Sequence, residues 1–131
     1  MRVLLTTTSF QDTPGKHQDL LEAQGFQIDR LRVPLPESTL LPIIDQYDAV
    51  ICGDDDYTSE VIAKGKSGKL KYICKYGVGL DKIDVAAATK YKIPVTNCPG
   101  VNQVSVAEHV FALLLTFSRH IHLEHQITQN A

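Results

Sequence analysis

Three short runs in this sequence pair chemistry-bearing or flexible residues with an apolar stretch just ahead of them: Gly53-Asp54-Asp55-Asp56, Tyr76-Gly77-Val78-Gly79-Leu80-Asp81 and Cys98-Pro99-Gly100-Val101-Asn102. The second run carries Gly-x-Gly. Two closely spaced glycines let backbone N–H groups approach a ligand, so a carboxylate could rest on the N–H groups of Val78 and Gly79. The same spacing also suits a tight strand-to-helix turn. It is not a dinucleotide fingerprint, because the third glycine position is occupied by Lys82. In the third run Asn102 stands where a helix begins. There its amide either caps the helix or points at an anion favoured by the helix dipole. Cys98 has no histidine beside it in its loop and does not read as a nucleophile. His122 and His125 are one helical turn apart with Glu124 between them, yet nothing completes a ligand set, and a polar helix end explains them. His109, after Glu108, is either a satisfied buried histidine or a group facing a cleft. No metal site is expected.

The elements that must position these runs are short apolar strands alternating with helical patterns. Val3 to Thr7, Phe26 to Leu31, Ala49 to Cys52, Leu70 to Lys75 and Pro94 to Asn97 read as five strands. A Thr/Ser/Asp loop follows the first. Thr13-Pro14 is expected to open a helix that Gly25 closes. Pro34 and Pro36 mark a loop. Leu40, Ile43, Ile44 and Tyr47 have amphipathic helical spacing, with Pro42 in the first turn. Thr58 or Ser59 caps a helix over Val61 and Ile62, and Asp84 to Tyr91 forms another. The last helix starts at Asn102 and runs to about His122. Strands separated by helices imply an α/β fold of the flavodoxin-like type: an open parallel five-stranded sheet in the order 2-1-3-4-5, with helices on both faces. In such sheets ligands bind beyond the carboxyl ends of the strands, where the three runs lie.

The chain has 131 residues, 44% of them apolar, and a net charge of −2. That is enough for one domain with a core, and it excludes a disordered or strongly basic chain. Residues 64–92 hold eight lysines against Asp81 and Asp84, a net +6. Such a stretch either steers a small anion or is a solvated face. It has no helix-turn-helix pattern, and nucleic-acid binding is not expected. No apolar run reaches the roughly 18 residues of a membrane helix, and no leader pattern opens the chain. Cys52, Cys74 and Cys98 are odd in number and form no CxxC, as expected of reduced thiols in a cytoplasmic protein. The last helix is apolar around nearly its whole circumference, from Val104 and Val106 to Phe117. Such a helix must be covered all round, and a five-stranded sheet covers one side, so a further domain or a partner is expected.

Residues 70–125 resemble the D-isomer-specific 2-hydroxyacid dehydrogenases. The resemblance is carried by Lys75-Tyr76-Gly77-Val78-Gly79-Leu80-Asp81-Lys82-Ile83-Asp84, by Ile93-Pro94-Val95-Thr96-Asn97-Cys98-Pro99-Gly100, and by Asn102-Gln103-Val104-Ser105-Val106-Ala107-Glu108-His109. The chain looks most like the phosphoglycerate dehydrogenases, and formate dehydrogenase shares the Ser-Val-Ala-Glu-His run. The resemblance implies that residues 1–131 are the N-terminal substrate-binding domain. It places the NAD-binding Rossmann domain, the returning terminal helix and the catalytic Arg, Glu and His beyond residue 131. In the whole enzyme a hydride would pass between C2 of a small 2-hydroxy acid and NAD. This chain alone would be inactive and would not hold NAD tightly. The resemblance assigns Lys75, Tyr76, Gly77, Val78, Gly79 and Asn102 to substrate binding, Val78 and Val106 to the nicotinamide side, and the last helix to a domain and homodimer interface. Lys75 stands where phosphoglycerate enzymes often have arginine. Asp54-Asp55-Asp56 departs from the pattern: a basic residue is common there, and three carboxylates repel a phosphate unless they point away. The rival reading is a stand-alone binding module or a receiver domain with an acceptor aspartate in that loop. A receiver needs an acidic pair after the first strand and a lysine after the fifth, where this chain has Thr6-Thr7-Thr8-Ser9 and Asn97-Cys98-Pro99.

Overall fold

Short runs, each with at least one β-branched residue, form the strands of the computed structural model, which describes residues 1–32 and 34–130. They are β1 (Arg2–Leu5), β2 (Gln27–Arg30), β3 (Ala49–Cys52), β4 (Tyr72–Lys75) and β5 (Val95–Thr96). All pairings are parallel, as the alternation of strands and helices implies, and the order is the expected β2-β1-β3-β4-β5. The helices are α1 (Thr8–Asp12), α2 (Lys16–Glu22), α3 (Glu37–Leu40), α4 (Ser59–Ser67), α5 (Val85–Lys90), α6 (Gln103–Ser118) and α7 (Ile121–Gln129), with a 3-10 turn at Ile44–Gln46. The chain divides into two units, one ending at Pro99 and the other beginning at Gly100.

In the first unit the strand register puts Leu4, Val50 and Ile73 side by side on one face of the sheet. With Leu40, Ile44, Tyr57, Val61, Ile62, Ala88 and Ile93 they form the main core. Each fully buried aliphatic side chain there contributes about 1.5–3 kcal/mol. The same register places Lys75 beside Cys52, so the loops after β3 and β4 start together. Thr58 caps α4 by accepting from the Val61 N–H, and Asp84 caps α5 by accepting from the Ala87 N–H at 2.8 Å.

The structure differs from the expected elements in three places. Thr8–Asp12 is a helix rather than a loop, and the next helix starts at Lys16 instead of at Pro14. Thr13, extended ahead of Pro14, ends α1, and the Gln18 amide lies within hydrogen-bond distance of the carbonyls of Phe10, Gln11 and Thr13. These carbonyls end α1 without a successor turn. The expected helix over Leu40–Tyr47 is two single turns, because Pro42 between them has no N–H to continue a ladder. Leu40, Ile44 and Tyr47 are buried all the same. In the second unit the expected continuous helix breaks at His120, which is left-handed at φ 55° and starts α7. The apolar side chains of α6 are exposed, Phe111 at 64% and Phe117 at 77%. No helix among the described residues is long and apolar enough to cross a membrane.

Candidate functional site

At the carboxyl ends of β1, β3 and β4 the first unit holds a cavity of about 420 Å³. Its walls are Thr6–Ser9 after β1, Gly53–Asp55 after β3, and Lys75–Gly79 with Asp81 after β4. It therefore brings together Lys75, Tyr76, Gly77, Val78 and Gly79. Asn102 and Val106 belong to the second unit. Asn102 occupies the N-cap position of α6, where its side chain makes no capping bond and its carbonyl accepts from the Val106 N–H at 2.9 Å. Val106 is exposed.

The three aspartates after β3 part company. The Lys75 ammonium donates to the Gly53 carbonyl at 2.6 Å and to Asp54 Oδ1 at 2.7 Å. The lysine side chain is only 7% exposed and the aspartate 78%. This ammonium holds the Asp54 carboxyl below the usual carboxylate range, mainly through the hydrogen bond. An ammonium has three N–H donors, and those two contacts use two of them. Asp55 is buried and turns inward. It accepts from Thr6 Oγ1 at 2.5 Å, from the Leu35 N–H at 2.7 Å and from the Gly53 N–H at 3.1 Å. Asp56 leaves the cavity and pairs with Lys82 at 2.9 Å. Cys52, below this loop, has its thiol pushed up to about 12, first by burial and then by the nearby Asp55 carboxyl. A thiol held protonated is a poor nucleophile.

The loop after β4 is held from the other side. The Tyr76 N–H donates to the Cys52 carbonyl at 2.9 Å, and the Cys98 N–H donates to the Gly77 carbonyl at 2.9 Å. Asn97 Nδ2 donates to the Val78 carbonyl at 2.8 Å. The N–H groups of Val78 and Gly79 have no acceptor among the described residues. Neither Gly77 nor Gly79 has positive φ, and a side chain at either would meet only neighbouring side chains. A Cβ at 77 would lie 3.0 Å from the Lys75 side chain, and one at 79 would lie 2.6 Å from Asp81 Oδ1. Tyr76 is steadied by Phe10, edge-on at 5.2 Å, and Phe10 by His17, edge-on at 4.6 Å.

The sequence reading missed the hydroxyl wall Thr6–Ser9. A signal was present: in a 2-1-3-4-5 order the strand order reverses between the first and third strands, and ligands collect beyond that point.

A profile of the family described as "D-isomer specific 2-hydroxyacid dehydrogenase, catalytic domain" matches residues 4–130. The chain belongs to this family. It is 38% identical over 103 residues to a D-3-phosphoglycerate dehydrogenase of Synechocystis sp., a match covering 79% of this chain and 18% of that protein. Among solved structures the TT0316 protein of Thermus thermophilus matches with a TM-score of 0.83 and 33% identity, over 100% of this chain and 41% of that one. The cofactor(NAD+)-bound 3-phosphoglycerate dehydrogenase of Entamoeba histolytica matches with a TM-score of 0.71 and 27% identity, over 88% of this chain and 38% of that one. The chain therefore spans less than half the length of these relatives.

Members of this family suggest a dinucleotide, and the residues of this cavity do not fit one. Lys82 replaces the third glycine. The segment after Gly79 opens no helix until Val85, and that helix start is already capped by Asp84. No group of three or more His, Cys, Asp or Glu residues able to hold a metal occurs among the described residues.

Proposed function

We propose that this chain is the substrate-gripping part of an NAD-dependent D-2-hydroxyacid dehydrogenase of the phosphoglycerate dehydrogenase type, acting on a small 2-hydroxy or 2-oxo acid. The observation that carries the reading is the pair of unpartnered N–H groups at Val78 and Gly79, on the wall of a cavity at the carboxyl edge of the sheet. Two adjacent amide donors suit a carboxylate, and the remaining Lys75 donor adds a charge-assisted contact. Tyr76 and Gly77 complete that wall. On the family resemblance we keep Asn102 as a further substrate contact, and Val78 and Val106 as residues on the nicotinamide side. NAD, bound elsewhere in the whole protein, would supply the hydride chemistry at C2 of the acid. This chain orients the acid by its carboxylate and is inactive by itself. We place the protein in the cytoplasm, and a second copy of the chain is the partner proposed for α6.

The test is an assay of the whole protein with NADH and a panel of 2-oxo acids with and without a phosphate, alongside residues 1–131 alone. NADH oxidation by the whole protein and none by residues 1–131 is expected. Turnover by the short chain, or none by the whole protein with any acid, overturns the reading.

A further inference from the structure

We infer that Asn97 is a positioning residue that aims the Gly79 N–H at the bound carboxylate. The inference rests on the carboxylate-binding reading above and deepens it. In a planar trans peptide the C=O and the N–H point in opposite directions. The orientation of one carbonyl therefore fixes the orientation of the N–H on the next residue. Two consecutive carbonyls of the glycine loop are tied to the same place, the chain just after β5. The Gly77 carbonyl accepts from the Cys98 N–H at 2.9 Å, and the Val78 carbonyl accepts from Asn97 Nδ2 at 2.8 Å. The Val78 and Gly79 N–H groups must then both turn away from the end of β5. Val78 and Gly79 line the cavity, while Asn97 and Cys98 do not.

The anchor is rigid, because β5 is registered on β4 through Ile73 opposite Val95 and Cys74 opposite Thr96. The two ties are unequal in one respect. The first uses a backbone N–H that nearly any residue supplies. The second uses a side chain, and only a donor of the right length at position 97 makes it. The Gly79 N–H is thus the donor whose direction a single substitution can release, with the Val78 N–H as an internal control.

The experiment titrates ¹⁵N-labelled residues 1–131 with oxamate and pyruvate, following each backbone amide. In the wild-type chain the Val78 and Gly79 signals should both move on binding. In Asn97→Ala the dissociation constant should rise about tenfold, the worth of one hydrogen bond to a charged group. The Gly79 response should be lost while the Val78 response remains. Asn97→Gln, which keeps the donor one methylene further out, should restore part of both. A merely structural role for Asn97 would move the melting temperature and leave the Gly79 response intact. If Asn97→Ala binds as tightly as wild type with the same Gly79 response, the positioning role is overturned and the carboxylate reading stands. If neither amide responds in the wild-type chain, the carboxylate reading fails and takes the positioning role with it.

Discussion

The acidic loop after β3 and the glycine loop after β4 are neighbours on one edge of the sheet, and they treat their polar groups in opposite ways. In Gly53–Asp56 every carboxylate has a partner within the protein: Lys75 for Asp54, three donors for Asp55, Lys82 for Asp56. In Tyr76–Gly79 the carbonyls of Gly77 and Val78 are occupied, and the N–H groups of Gly77, Val78 and Gly79 are left over among the described residues. The loop with the most formal charge thus keeps little of it for a ligand. The loop with almost none offers the donors. At this edge charge builds the walls, and the backbone supplies the recognition.

The comparison is broken most severely at Asp55. Asp55→Ala removes the acceptor of the Leu35 and Gly53 N–H groups and leaves the Thr6 hydroxyl only its long 3.4 Å contact with the Ile51 carbonyl, and should destabilise the first unit by about 3 kcal/mol. At ordinary urea sensitivities that lowers the unfolding midpoint by roughly 1–2 M. An unchanged midpoint would show that the acidic loop does not hold the wall together.

The next effect is on binding. At Gly79→Val the new Cβ meets only the end of the Asp81 side chain, which can swing aside, so the fold is kept. The branched side chain still blocks approach to the amides. In the whole enzyme the KM for a 2-oxo acid should rise about tenfold or more, as expected for losing a charge-assisted contact. A folded variant with an unchanged KM would reduce the glycine loop to a turn.

The smallest effect is electrostatic. Asp54 has its pKa lowered in the folded state, first by its hydrogen bond to Lys75. A lowered carboxylate stabilises the fold above its unfolded pKa of about 3.9. That contribution fades as pH falls through the lower folded value. It is small, because Asp54 is mostly exposed. Lys75→Met should bring the Asp54 titration, followed by carboxyl carbon NMR, most of the way back to the ordinary range, with Lys82 still lowering it slightly. An Asp54 titration indifferent to Lys75 would mean that the ion pair does not persist in solution.

The strands and the loops after β3, β4 and β5 were legible because they depend on local signals, strand-length apolar runs and closely spaced glycines, while the sheet order followed from the usual order of a parallel sheet of this size. The partners of the acidic loop were not. Asp54, Asp55 and Asp56 are adjacent and identical in type, and their fates are set by Thr6, Leu35, Lys75 and Lys82, which only the folded chain brings near. The break between α1 and α2 falls at Thr13-Pro14, the pair expected to open a helix. The breaks at Pro42 and His120 differ from each other. Proline announces its own effect, and the error lay in placing it inside one helix. A left-handed histidine gives no such notice.

The packing of Gly77 against Lys75 has a consequence for how this protein can drift in sequence. Lys75 is enclosed and tied at its tip to Gly53 and Asp54, so a methyl group arriving 3.0 Å away asks its stem to give by a few tenths of an ångström against those ties. Positions 75 and 77 are therefore expected to change together. A lineage that acquires a side chain at 77 must also shorten or redirect the cation at 75, and with it release Asp54. Three positions in two loops thus form one unit of covariation, and exchanges among them should appear in relatives as a set.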